Sequence, residues 1–140
     1  MKTDLRESFS YYENFQVRDY ELDLLGMVNN RVYLGYLEHA RHQYLKTLGV
    51  DFVAMYQQGY RLVVVRSEID YKQTLHSGDR FQVGVSLQRQ TRVRFCFFQA
   101  IFNQSNQLIL NAKIIGTCLQ ANNRPCFPPH WDTLFPKIQK

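Results

Sequence analysis

The sequence predicts an α+β fold: an antiparallel β-sheet wrapped around one long central helix, in the order β-α-β-β-β-β. Three observations predict it. Asn30 to Leu48 repeats apolar residues at helical spacing; the segments after Leu62 alternate or run apolar as strands do; and no second long helical repeat separates those strands. With 140 residues, 45% of them hydrophobic, residues 1–140 read as a single domain able to form a real core. Ten Phe, nine Tyr and one Trp also lean toward strands, where aromatic side chains pack well.

The first strand is expected over Phe9 to Arg18. Phe9, Tyr11, Phe15 and Val17 fall on one side, Ser10, Asn14, Gln16 and Arg18 on the other, and Glu13 breaks the pattern. A turn-rich segment with Gly26, Asp19 to Asn29, follows. From Asn30 to Leu48 the period changes: Tyr33, Tyr36, Leu37, Ala40, Tyr44, Leu45 and Leu48 draw an apolar stripe, with Glu38, Arg41, His42 and Lys46 largely off it. Asn29 suits the N-cap, Val28 and Tyr33 suit a hydrophobic staple, and Gly49 suits the terminator. A short second helix is expected at Phe52 to Gln57. Leu62 to Lys72 is the next strand and HSGD, residues 76–79, a turn. Phe81, Val83, Val85 and Leu87 then alternate with Gln82, Gly84, Ser86 and Gln88, so that strand has one wet face. Val93 to Phe102 is apolar on both faces and belongs at the centre of the sheet. Gln107 to Leu119 is the final strand, and Pro125, Pro128 and Pro129 are expected to stop further pairing.

Net charge and cysteine content bound the function. A formal charge of +5 favours a negatively charged partner, such as an acidic carrier protein or the phosphates of coenzyme A. The Lys and Arg residues are scattered without a long basic run, which argues against nucleic acid. Cys96, Cys118 and Cys126 are odd in number and lack a CxxC spacing, so neither a disulfide framework nor a metal site is implied. The stretch MKTDLRESFSYYENF has no apolar signal core and carries acids that a transit peptide avoids; no apolar run reaches bilayer length. A protein of the reducing cytoplasm, with no membrane span, is expected.

Residues 17–41, VRDYELDLLGMVNNRVYLGYLEHAR, carry a specific pattern: Asp23, Gly26 three residues on, Val28-Asn29, then Tyr33 and Tyr36 on the helix. This resembles the signature of hotdog-fold thioesterases of the 4-hydroxybenzoyl-CoA thioesterase class, and most of all the plastid acyl-lipid thioesterases of plants and their cyanobacterial relatives. IDYKQTLHSGD, residues 69–79, is similar to a strand connection of the same class. Many relatives have Asp where this chain has Glu21, and Leu24 and Leu25 are bulkier than usual.

The resemblance implies a hydrolase: a thioesterase cleaving acyl-CoA or an acyl-carrier-protein thioester, with a fatty or 3-oxoacyl chain favoured and 1,4-dihydroxy-2-naphthoyl-CoA as the competing substrate. A non-catalytic acyl-thioester binding protein on the same fold is the alternative of another class. Thioester hydrolysis needs a nucleophile or base and a donor to the developing oxyanion. Asp23 is the implied carboxylate, either attacking the carbonyl or orienting water; by residue type alone a turn Asp is the plainer reading. The backbone amide of Asn30, seven residues on, is the implied oxyanion donor. If Asn29 caps the helix, the amides of Asn30 and Arg31 are left free at its positive end. Gly26 either lets the backbone approach substrate or is a plain turn glycine. Glu38 either orders water at the site or is a solvated helix charge. Tyr33, on the helix stripe, is core or lines an acyl tunnel. Arg89, Arg92 and Arg94 cluster at one turn; basic residues near this turn bind coenzyme A phosphates in the resembling enzymes, with Arg89 the nearest match and Arg92 a further candidate, and a solvated hairpin end is the plainer reading. Arg124 is a weaker candidate. His39 and His42 read as surface residues, and His76 as a turn residue. No metal or redox cofactor is implied. An open sheet edge and the family's habit of completing sites across subunits imply a homodimer or homotetramer.

Overall fold

The structure, a computed structural model, describes residues 8–134; residues 1–7, part of the stretch read above for a targeting signal, lie outside them. In chain order come β1 (Tyr11–Gln16), α1 (Asn30–Thr47), the short α2 (Phe52–Gln57), β2 (Arg61–Tyr71), β3 (Arg80–Arg89), β4 (Arg94–Asn103), β5 (Leu108–Leu119) and the two-residue β6 (Pro125–Cys126). All pair antiparallel in one sheet ordered β1-β3-β4-β5-β2, with β6 added to β5. The predicted hotdog architecture is present. β4, apolar on both faces, lies at the centre as expected.

α1 buries Tyr33, Tyr36, Leu37, Ala40, Tyr44 and Leu45, six of the seven stripe positions. They share one core with Phe81, Val83, Val85 and Leu87 of β3 and with Phe97 and Ile101 of β4. Each fully buried Leu or Val contributes about 1.5–3 kcal/mol, so this face, more than helix propensity, holds α1 in place. Both ends of the helix are locally encoded. Asn29 Oδ1 accepts from the Arg31 amide at 3.1 Å. Gly49, at φ +85°, takes the left-handed turn that releases the chain.

Two expectations are corrected. Phe9 does not share the inner face with Tyr11. It precedes β1 and covers the outer face of β3, where a Cβ on Gly84 would meet its ring at 2.6 Å. Its ring also meets Phe102 edge-on at 6.2 Å. The outer face of β3 is therefore partly roofed, and only a glycine at 84 leaves room for the roof. Pro125 does not stop pairing: it opens β6 opposite Leu119, with Cys126 opposite Cys118. Proline is tolerated at the first residue of an edge strand, where no ladder N–H is demanded of it.

Candidate active site

The loop between β1 and α1 is pinned from several sides. Leu22 bridges Val28, and Met27 bridges His76 at the start of the 76–79 turn. The Val28 amide donates to the Leu75 carbonyl at 3.0 Å, and the Leu75 amide donates to the Tyr33 hydroxyl at 2.9 Å. Between these pins the chain makes a tight excursion over residues 23–27. Asp23 organises it: its amide donates to the Met27 carbonyl at 2.8 Å, while Oδ1 accepts from the amides of Leu25 at 2.8 Å and Met27 at 3.1 Å. Asp is suited to such a turn because its short side chain reaches amides two and four residues on. Gly26 sits at φ +78° with nothing within 4 Å of an added Cβ. The backbone turn, not a close approach, requires glycine there.

Asp23 thus has a divided carboxylate. Oδ1 holds the loop; Oδ2 has no protein partner among the described residues, and the residue is exposed. At the helix start the Arg31 amide is taken by the Asn29 cap and the Val32 amide by the Asn29 carbonyl at 2.9 Å. This corrects the expectation that both Asn30 and Arg31 amides are free: the cap satisfies Arg31, and among the described residues only the Asn30 amide of that pair is unclaimed. The side chains of Asn30 and Arg31 are exposed.

Glu21 is a residue that sequence reasoning treated as a departure and nothing more. Its Oε1 accepts from the Arg18 amide at 2.8 Å and from the Tyr36 hydroxyl at 2.8 Å, and its carbonyl accepts from the Asn29 amide at 3.4 Å. One side chain therefore ties the strand exit to the second turn of α1, just ahead of Asp23. Burial first, and then the Glu21 hydrogen bond, push the Tyr36 phenol far above its ordinary range, so it stays a donor. The acid three residues after Arg18 accepts from the Arg18 amide, as the acid of a capping box does, and that spacing is the one local signal that could have flagged the contact.

The remaining candidates scatter. Tyr33 is 2% exposed and belongs to the core, where its hydroxyl steadies Leu75; it offers a substrate no open surface. His76 is exposed and caps its own turn, its amide donating to Asp79 Oδ2 at 2.8 Å. His39 is exposed, with its ring 5.6 Å from Phe15. Arg89 is committed to the fold: it donates to Asp132 Oδ1 at 2.7 Å, to the Arg92 carbonyl at 2.7 Å and to the Thr91 carbonyl at 3.2 Å, and it lies over the Phe127 ring at 4.0 Å. A phosphate at Arg89 has to displace those bonds. The guanidinium groups of Arg92, Arg94 and Arg124 are exposed and have no protein partner among the described residues. This basic turn closes the far end of β3, whereas the Asp23 loop is pinned beside its beginning. The ten residues of β3 span roughly 30 Å, so the acidic loop and the basic turn lie toward opposite ends of that strand.

Two cavities flank α1, and neither is lined by Asp23. The larger, about 1260 Å³, is an open groove between β1, the start of β3 and one side of α1, with Glu21, Tyr36 and His39 on its wall. The smaller, about 430 Å³, lies between the later turns of α1, α2 and the sheet, with Glu38, Arg41 and His42 on its wall. Glu38 is exposed at this second cavity and not at the Asp23 loop. Arg41, expected off the apolar stripe, is half-buried and donates to Gln99 Oε1 at 3.0 Å. Burial pulls the His42 imidazole below its ordinary value and thus toward neutrality. Among the described residues no cluster of three His, Cys, Asp or Glu is arranged to hold a metal, and no helix is long and apolar enough to cross a membrane.

Comparison with known proteins adds to this geometry. The family model of the thioesterase-like superfamily matches residues 17–135. The chain is 37% identical over 111 residues to the chloroplastic acyl-acyl carrier protein thioesterase ATL3 of Arabidopsis thaliana, covering 79% of this chain and 58% of that protein. It is 36% identical over 126 residues to ATL2, named in the same way and from the same plant, covering 89% of this chain and 67% of that protein. It therefore spans somewhat more than half to two thirds of those relatives. Among solved structures, a 1,4-dihydroxy-2-naphthoyl-CoA thioesterase from Synechocystis superposes with TM-score 0.86 at 22% identity, covering 93% of this chain and 98% of that one. At that identity the likeness shows a shared fold.

Proposed function

The chain belongs to the thioesterase-like superfamily, and from that premise we propose that it hydrolyses an acyl thioester, acyl-CoA or acyl carrier protein, to the free acid and thiol. The observation that carries the reading is the divided carboxylate of Asp23: one oxygen builds the loop and the other is unclaimed among the described residues, a few residues ahead of a helix whose Asn30 amide is likewise unclaimed among them. In this reading Asp23 Oδ2 attacks the thioester carbonyl or takes a proton from the attacking water. The Asn30 amide, at the positive end of α1, donates to the oxygen as negative charge develops on it. Glu21 and Tyr36 hold the loop against the helix while this happens.

Two named relatives acting on acyl-acyl carrier protein favour a fatty or 3-oxoacyl chain as the substrate. 1,4-Dihydroxy-2-naphthoyl-CoA is the competing acyl group. The spare positive charge of Arg92, with Arg94 beside it, suits the phosphates of coenzyme A or of a carrier's prosthetic arm. That turn lies toward the other end of β3, roughly 30 Å of strand away, and in this reading a second copy of the chain supplies a basic turn closer to Asp23. β2, at the sheet edge, exposes Val64 and Val65 at 52% and 42% and is the natural seam for a homodimer or a tetramer built from it. Free thiols at Cys96, Cys118 and Cys126 suit a reducing cytoplasm. The test is steady-state hydrolysis of defined acyl-CoA and acyl-carrier-protein substrates by wild type and Asp23→Ala. Turnover lost in the variant supports hydrolysis through Asp23. Binding without turnover in the wild type supports the non-catalytic module instead.

A further inference from the structure

We propose that Cys118 and Cys126 are a reversible disulfide site: a low-molecular-weight disulfide such as oxidised glutathione closes the bond, a dithiol opens it, and the bond staples β6 to β5. The two cysteines have no CxxC spacing, and the hairpin register is what pairs them. The turn between them is tight. The Gln120 amide donates to the Arg124 carbonyl at 3.0 Å, the Asn123 amide donates to the Gln120 carbonyl at 2.8 Å, and Asn123 is left-handed at φ 65°. Beyond the turn Leu119 lies opposite Pro125, and Cys118 lies directly opposite Cys126. β4 pairs with β5 as far as Thr117, and β6 takes the place next to it. The Thr117 hydroxyl lies 3.3 Å from the Cys126 carbonyl and also meets the Val93 carbonyl, which holds β6 in that register. Residues directly opposite in antiparallel strands have Cα atoms about 4.5–5.5 Å apart and side chains on the same face. A disulfide spans Cα separations of about 4.4–6.8 Å, so the bond closes with little backbone movement.

The two thiols differ in a way that orders the chemistry. Cys118 is 0% exposed, whereas Cys126 is half-buried and open to a small oxidant. Burial first, and then the neighbouring Cys126 thiol, push the Cys118 thiol up to about 12. Cys126 therefore reacts first: it gives its proton to solvent, and its thiolate attacks one sulfur of glutathione disulfide, expelling one glutathione thiolate. The mixed disulfide left on Cys126 carries no charge, so its opposition to the Cys118 thiolate is gone. Cys118 then loses its proton, attacks the Cys126 sulfur and expels the second glutathione thiolate. Two protein thiols have lost two electrons and two protons, and one glutathione disulfide has become two thiols. Cys96, 3% exposed and placed opposite Gln88 and Ile115, has no such neighbour among the described residues and stays a thiol. In a reducing compartment the pair is open, and it closes when the glutathione pool is oxidised. The staple anchors the start of the segment that steadies the basic turn: Phe127 lies under Arg89, and Asp132 accepts from it at 2.7 Å. The site does not rest on the proposed hydrolysis, and its test needs no turnover.

The experiment is a glutathione redox titration of the full chain, read by intact mass, by alkylation of the remaining thiols, by peptide mapping and by thermal unfolding. In excess oxidised glutathione the native chain is expected to lose two alkylatable thiols and two hydrogens in mass. The Cys118 and Cys126 peptides should be joined within one chain, with Cys96 still free. Tm should rise by about 5–10 °C, and dithiothreitol should reverse every change. Half-oxidation of the native chain should need a ratio of oxidised to reduced glutathione at least about 100-fold lower than the urea-unfolded chain needs. Cys118→Ser should stop at a glutathione adduct on Cys126, and Cys126→Ser should take up none. Absence of the Cys118–Cys126 bond in native wild type, a bond to Cys96 or between chains in its place, or a bond that fails to raise Tm overturns the proposal without recourse to any variant. Equal ease of oxidation in the folded and unfolded chain overturns it as well, because the fold then does nothing to bring the thiols together.

Discussion

Substituting Asp23 by Asn and by Ala separates the architecture of the loop from its proposed chemistry. In the structure Oδ1 accepts two amides, from Leu25 at 2.8 Å and Met27 at 3.1 Å, and Oδ2 accepts none among the described residues. An Asn side chain offers the same acceptor in the same place, so the loop keeps both bonds. It loses only the charge assistance, about 1 kcal/mol in total for bonds this exposed. Ala loses both acceptors, about 1–3 kcal/mol. At this chain length the two figures correspond to drops in Tm of about 3–5 °C for Asn and up to about 15 °C for Ala. Activity is expected to behave differently. The amide that takes the place of Oδ2 is neither nucleophile nor base, so both variants should lose at least about 10²-fold in kcat, the usual scale for removing a general base. Thermal unfolding gives the first quantity, and release of free thiol from an acyl-CoA or acyl-carrier substrate gives the second. If Asp23→Asn keeps more than about a tenth of wild-type kcat while folded, Asp23 is a turn residue and its catalytic role is refuted.

Three further outcomes test the supporting structure. Asn29→Ala removes the cap on the Arg31 amide and should cost about 1 kcal/mol by denaturant titration, whereas Asn29→Gly should cost only a few tenths. Tyr36→Phe cuts the hydroxyl that Glu21 accepts and should cost about 1–2 kcal/mol; if the latch positions Asp23, steady-state kinetics will show kcat falling with KM little changed. Tyr11 is held at about 12 by burial and by its hydrogen bond to Glu13. A phenol with a folded-state pKa above its unfolded value of 10 contributes stability that is complete below pH 10 and lost as pH rises toward 12. Denaturation midpoints between pH 10 and 12 should therefore fall, and fall less steeply in Tyr11→Phe.

Much of the fold was legible because its signals are local. The stripe from Tyr33 to Leu45, the Asn29 cap and the Gly49 terminator are all relations within four residues, and the structure reproduces that helix nearly to the residue. β4 is central because an apolar strand on both faces has nowhere else to be buried. The Asp23–Gly26–Asn29 spacing is likewise local, and the loop it builds matches what those residue types demand.

What the tertiary structure decided is which polar groups meet. Glu21 finds Tyr36 across 15 positions, Arg89 finds Asp132 across 43, and Arg41 finds Gln99 across 58. No periodicity records such pairs, since each depends on how the sheet closes around the helix. That closure gave Arg89, a candidate ligand for phosphate, bonds to Asp132 and to its own hairpin turn. It also buried Arg41 beside an apolar cavity and set the basic turn at the far end of the strand from the acidic loop. Local preferences choose helix, strand and turn over a few residues. Partnership between distant charges is chosen only when the whole core has packed and removed the water that would otherwise satisfy them.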